Sequence, residues 1–173
     1  NRTAWETLQT SQVELPLTRL RLSSCLKSPL DLVQPLLNRK QQIVQVHLHT
    51  DQDWVCANRQ AIEQVIVNLL VNAAKYGPRG DVIDIVVSAY LSWVETRVTD
   101  HGAGVAEGEQ EHVFQPYVRG AAGRQDGSGL GLGLAIVKHI VQSHGGEVWA
   151  TSEVGVGTTF FFTLPLQSPE PEV

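Results

Sequence analysis

The chain of 173 residues contains no methionine and only two cysteines. The missing methionine, with Asn1 at the start, leads us to expect an internal or C-terminal piece of a longer protein. Cys25 and Cys56 match no metal-ligand spacing, and one pair cannot establish a disulfide framework, so both are expected as reduced core or near-core thiols. No apolar run approaches the roughly 20 residues that a bilayer-spanning helix needs. We therefore expect no membrane insertion by this piece and a cytoplasmic location, with a parent protein free to be membrane-anchored. There is also no basic stripe. The 13 Lys and Arg residues are dispersed against 18 Asp and Glu, for a net charge of −5, so no nucleic-acid partner is expected.

What is present is apolar content of 42%, enough for one substantial core. Ile62, Val65, Ile66, Leu69 and Ala73 recur at helical spacing and mark the buried face of one helix. At about 100° per residue, Asn68, Asn72, Lys75 and Tyr76 fall on an arc beside that face. Two Asn four apart can offer carbonyl oxygens to a hard cation, and a Lys one turn on can meet phosphate oxygens. Taken alone, the segment reads equally as an ordinary amphipathic helix.

Three further clusters follow. Asp100-His-Gly102-Ala-Gly104 comes directly after an alternating segment (Val94, Thr96, Val98) that reads as a strand. It offers a carboxylate to an amine while the backbone approaches a flat ring; alone, such a match is usually a plain turn. Phe114-Gln-Pro-Tyr117-Val-Arg119 sets two aromatics and a cation at the start of a polar loop. Gly127-Ser-Gly129-Leu-Gly131-Leu132-Gly133 runs straight into an apolar-periodic helix, Ala135 to Val141. Unpaired N–H groups at such a helix start suit phosphate. The run is not a P-loop, because no Gly-Lys-Ser/Thr follows. Without a βαβ unit and an acidic ribose ligand, a dinucleotide fold is not expected.

In order and spacing these clusters resemble the catalytic ATP-binding domain of bacterial sensor histidine kinases, within the superfamily shared with gyrase, a heat-shock chaperone and mismatch-repair ATPases. Asn68 to Tyr76 resembles its asparagine box, Asp100 to Gly104 its first glycine box, Phe114 to Arg119 its phenylalanine box and Gly127 to Gly133 its second glycine box. Gly155-Val-Gly157-Thr158 resembles the terminal glycine–threonine motif. The resemblance covers roughly residues 20 to 166. It implies an α+β fold, a two-layer α/β sandwich of the Bergerat type with a mixed sheet and helices on one face.

The cofactors implied are ATP and Mg²⁺. By the same resemblance, Asn72 coordinates the cation with Asn68 assisting, Lys75 contacts phosphate and Tyr76 lies near the nucleotide. Asp100 accepts a hydrogen bond from the adenine amine, with Gly102 and Gly104 letting the backbone close around the base. A lid from about Gln115 to Leu130 carries Arg119, and also Arg124, toward the γ-phosphate. Gly127, Gly129, Gly131, Leu132, Gly133 and Thr158 complete the nucleotide contacts. Hydrolytic members generally carry a Glu where this chain has Asn68. An amide is a poor base, which favours holding ATP for transfer over hydrolysing it; a hydrolytic ATPase and a docking or pseudo-kinase module are the alternatives. His101 stands where a Thr, Ser or Asn is common, and Ala103 where a Pro is frequent.

None of His47, His49, His101, His112, His139 and His144 has the sequence context of a phosphoacceptor. The implied partners are therefore a dimerisation and histidine-phosphotransfer domain of the same parent and, downstream, a response regulator, with the piece itself monomeric. We expect residues 1–14 to be the tail of an upstream helix or a linker, 15–166 the catalytic domain and 167–173 a frayed tail. Within the domain, Leu20 and Leu22 suggest a short edge strand, and Ser23 or Ser24 can cap a helix reaching about Lys40, which Pro35 should kink or split. Strands are expected at 43–49, 54–57, 82–90, 92–99, 147–152 and 158–164, with Asn58 capping the asparagine-bearing helix. His47 and His49 read as a surface pair on one side of their strand.

Overall fold

Alternation in the strands and a three-to-four repeat in the helices generate two layers. The computed structural model describes residues 15–105 and 130–167. Its elements run β1 (Thr18–Arg21), α1 (Lys27–Arg39), β2 (Ile43–Leu48), β3 (Trp54–Ala57), α2 (Arg59–Tyr76), β4 (Val82–Ala89), β5 (Trp93–Asp100), α3 (Leu130–Ser143), β6 (Val148–Glu153) and β7 (Gly157–Pro165). Five strands form a mixed sheet in the order β2-β4-β5-β7-β6, in which β2–β4 is the parallel pair. β1 and β3 pair antiparallel in a separate two-stranded sheet.

One face of the larger sheet is apolar. Ile83, Ile85 and Val87 of β4, Val94 and Val98 of β5, and Phe160, Phe162 and Leu164 of β7 join one core with Ile62, Val65, Ile66 and Leu69 of α2 and Val137, Ile140 and Val141 of α3. Full burial of each such side chain stabilises the fold by about 1.5–3 kcal/mol. The expected α+β two-layer sandwich is the observed architecture.

The start of α1 departs from the sequence reading. Asp53, fully buried, accepts the Ser23 N–H at 2.6 Å and the Arg21 Nε–H at 2.8 Å, and its carbonyl accepts the Leu22 N–H. That ties residues 22–25 into a 3₁₀ turn, with the Ser24 hydroxyl donating to the Arg21 carbonyl. Neither serine caps the helix, which begins at Lys27 with no side-chain cap. The helix also continues through Pro35, which lies on its exposed face. Cys25 is buried as expected, but Cys56 is exposed, because on β3 it alternates with the buried Val55 and Ala57. Gln167, expected in the frayed tail, donates its N–H to the Trp54 carbonyl, and the rest of that tail lies outside the described residues. His47 and His49 are both exposed, and His47 Nε2 lies 3.0 Å from Asp84 Oδ1.

α2 is pinned at its start. Asn58 Oδ1 accepts the Ala61 N–H at 2.9 Å, and Asn58 Nδ2 donates to the Pro16 carbonyl. The Asn58 N–H donates to Nε2 of His144 at 3.1 Å. The other ring nitrogen of His144 lies 2.8 Å from the Ile140 carbonyl, so one imidazole joins the end of α3 to the start of α2. α3 ends where Gly145, at φ +81°, takes the left-handed turn.

Removing the cap by Asn58→Ala should cost about 1–2 kcal/mol, read as a lower denaturant midpoint with an unchanged slope. Burial works to raise the Asp53 carboxyl, but the bonds from Ser23 and Arg21 outweigh it and hold it below its ordinary value of 3.8. A depressed carboxyl contributes stability above its unfolded value, lost as pH falls toward the folded one. Asp53→Asn should therefore be destabilised at pH 6, with the gap to the parent chain shrinking as pH falls below 3.8 in denaturation series.

Candidate functional site

The last turns of α2 carry the polar arc. Ile62, Val65, Ile66, Leu69 and Ala73 are buried, and Asn72 is buried beside them at 3% exposure. Asn68 and Lys75 are half-buried, and Tyr76 is at the surface. The Lys75 ammonium lies 6.0 Å from the centre of the Tyr76 ring. Among the described residues, Asn72 Oδ1 is buried with no hydrogen-bond partner. A buried carbonyl oxygen in that condition costs about 1–3 kcal/mol. It fits a hard cation, which takes oxygen ligands.

The helix stops at Gly77-Pro78, and its final carbonyls are capped from another element. Lys40 Nζ donates to the carbonyls of Ala74 at 2.6 Å and Gly77 at 2.8 Å, and Gln42 Nε2 donates to that of Pro78 at 3.0 Å. A cation at a helix C-terminus is favourable. Here it also fixes where Lys75 and Tyr76 leave the helix.

Asp100 ends β5, paired with Thr158 in the ladder, and is 2% exposed. Burial is the main force raising its carboxyl above the ordinary value; the Gly102 N–H, bonded to Oδ1 at 2.9 Å, works the other way. Gly102 and Gly104 prove necessary because of protein backbone. A Cβ on Gly102 would overlap the Tyr76 carbonyl, and one on Gly104, at φ +81°, would come within 2.5 Å of the Glu153 carbonyl. The turn is docked further by the Gly155 N–H on the Ala103 carbonyl and the Val105 N–H on Ser152 Oγ. The same serine hydroxyl lies 2.8 Å from Thr158 Oγ1.

α3 begins at Leu130, earlier than expected, so Gly131, Leu132 and Gly133 occupy its first turn, where backbone N–H groups lack intrahelical acceptors. Asn68 Nδ2 lies 3.3 Å from the Gly133 carbonyl and ties α2 to that turn. Arg119, Arg124, Gly127, Gly129 and the phenylalanine box lie outside the described residues, as does His112. A cleft of about 430 Å³ opens at this end of the sheet, lined by residues 99–101, 151–153 and 156–159. It reaches Thr99, Thr151 and Thr159 on the sheet's other face and does not include Asn72 or Lys75.

Of the residues singled out in the sequence, Tyr76, Asp100, Gly102 and Thr158 come together where the end of α2 meets the end of β5, and Asn68 lies against the first turn of α3. The sequence reading missed Lys40, Gln42, Asp81 and Ser152, which hold the site from outside its motifs. Each is a single polar residue with no motif around it.

Comparison with known proteins agrees with this geometry. Residues 57–168 match the family described as histidine kinase-, DNA gyrase B- and HSP90-like ATPase. The adaptive-response sensory kinase SasA of Synechococcus sp. (strain CC9311) is 33% identical over 165 residues, covering 95% of this chain and 42% of that protein. A crystal structure of full-length ShkA in complex with AMPPNP superposes with a TM-score of 0.82 at 25% identity, over 96% of this chain and 35% of that one. The catalytic domain of histidine kinase ThkA has the same fold, with a TM-score of 0.76 at 24% identity over 87% of this chain and 95% of that one. The chain belongs to the histidine kinase-, gyrase B- and HSP90-like ATPase family, as a catalytic ATP-binding domain of the histidine kinase branch. It spans less than half the length of the curated relatives it matches.

If Asn72 Oδ1 is the cation ligand, Asn72→Ala should lower nucleotide affinity at least tenfold in Mg²⁺ and little in EDTA, roughly the scale of one lost charge-assisted contact. Titration with a fluorescent ATP analogue measures this, and equal loss in both media would remove Asn72 as a ligand.

Proposed function

We propose that this chain binds Mg-ATP and delivers its γ-phosphoryl group to a histidine on a separate dimerisation domain of a parent sensor kinase. The observation that carries the reading is the buried Asn72 Oδ1, without a hydrogen-bond partner among the described residues, on the same helix as Asn68 and Lys75. A divalent cation, when bound, draws charge from the phosphate oxygens. Asn72 and Asn68 would hold it, Lys75 would meet a phosphate, and the first-turn amides of α3 would receive phosphate oxygens at the positive end of the helix dipole. Asp100 would accept from the adenine amine and orient the base. Arg119, and with it Arg124, would stabilise charge at the transferring group.

Transfer is favoured over hydrolysis by the amide at Asn68. No carboxylate stands there to take a proton from water, and the side chain is engaged with the Gly133 carbonyl instead. The acceptor histidine lies on the partner domain, and a response regulator takes the phosphoryl group downstream. Residues 15–166 are the catalytic unit, acting as a monomer at the cytoplasmic side. Among the described residues, no helix is long and apolar enough to cross a membrane.

The test mixes the chain with γ-labelled Mg-ATP, with and without the parent's upstream helical segment. Acid-labile label on that segment's histidine, and negligible label on the chain alone, is the expected result. Steady release of inorganic phosphate by the chain alone would replace transfer with hydrolysis.

A further inference from the structure

We propose that Asp81 and His101 form a positioning pair that sets Asp100 for the adenine edge and so maintains selectivity for ATP over GTP. The inference rests on the reading of Asp100 given above. Asp81 closes the turn after α2, its N–H bonded to the Pro78 carbonyl, and its side chain is 3% exposed. Both its carboxylate oxygens are engaged by one residue. The His101 N–H donates to Oδ2 at 3.0 Å, and His101 Nδ1 lies 2.9 Å from Oδ1. A ring nitrogen facing a carboxylate at that distance carries the proton and donates it. The carboxylate also abuts the end of α2: a Cβ on Gly77 would come within 2.5 Å of Oδ2. The pair therefore spans from the stop of the asparagine-bearing helix to the residue immediately after Asp100.

Two consequences for Asp100 follow. Its backbone is held from the C-terminal side by a bidentate contact, while Gly102 holds its Oδ1 from the turn. Its charge is also sensitive to the pair. After burial and the Gly102 bond, the largest influence is Asp81, which opposes ionisation of Asp100, whereas His101 favours it. Without the imidazole, Asp81 keeps one donor, and the two buried carboxylates stand with less between them. Of the residues common at this position in domains that this one resembles, Thr or Ser would present a hydroxyl on a much shorter arm, whereas Asn would present an amide donor.

Asp100 reads the exocyclic group of the base, so displacing it should penalise adenine without penalising the phosphates. The experiment measures the affinity of the whole 173-residue chain for Mg-ATP and Mg-GTP by displacement of a fluorescent nucleotide. Asp100→Asn is the reference, expected to abolish the ATP preference. His101→Ala and Asp81→Asn should each weaken ATP binding about tenfold, the scale of one misplaced hydrogen bond, with GTP binding unchanged. His101→Asn, which restores a donor toward Asp81, should recover most of the preference. Should His101→Ala fail to fold by circular dichroism, His101→Ser takes its place with the same expectation. Equal loss of ATP and GTP affinity, or an unchanged ratio, in the folded variant overturns the pair as a positioning device. Selectivity surviving in Asp100→Asn would instead overturn the reading of Asp100 itself.

Discussion

At Gly102 the turn after β5 runs so close to the end of α2 that a single added methyl group would overlap the Tyr76 carbonyl. This backbone-to-backbone contact puts the carboxylate of Asp100 and the polar arc of α2 at one end of the fold. Its neighbours close the same gap from other directions. Gly104 lies against Glu153, Gly157 against Asp100, and Asp81 fits between Gly77 and His101. Four chain segments thus converge with no side chain between several of them. A close-packed junction of that kind resists gradual deformation.

Polar burial is handled differently at the two ends of the molecule. Asp53, at the β1–α1 corner, takes an arginine Nε–H and a backbone N–H, and these hold its carboxyl low. Asp100 takes backbone bonds from Gly102, on Oδ1, and from Thr158 beside a second carboxylate, and burial still pushes it up. The first is a structural anchor whose donors are built in. The second would keep capacity for a donor that arrives from outside, as the proposed base-reading role requires. Asn72 repeats the pattern, with a buried oxygen unmatched among the described residues.

The periodic part of this architecture is legible in the sequence. The alternation in Ile83, Ile85 and Val87 against Val94 and Val98 placed the central hairpin, and Asn58 marked the start of α2, because those signals are local. The corner at residues 22–25 could not be read, since Ser23 is drawn off by Asp53, some thirty residues away in sequence. The requirement for glycine at 102 and 104 has a further cause hidden from the sequence, since their close neighbours belong to α2 and β6. Lys40 and Gln42 look like an ordinary helix end and strand start. Their role exists only because the fold brings them under the last carbonyls of α2.

The His144 contact has a mechanical meaning as well. It pins α2 and α3 together at the end farthest from Asn72 and Gly133, and Asn58, in the same knot, holds the incoming chain at Pro16. α2 is 18 residues long, so at a rise of about 1.5 Å per residue its other end lies about 27 Å from that pivot. A tilt of one degree at the knot displaces the far end by about 0.5 Å over a lever of that length. A small rotation at the knot is therefore felt most at the ends of the two helices that carry Asn72 and Gly133.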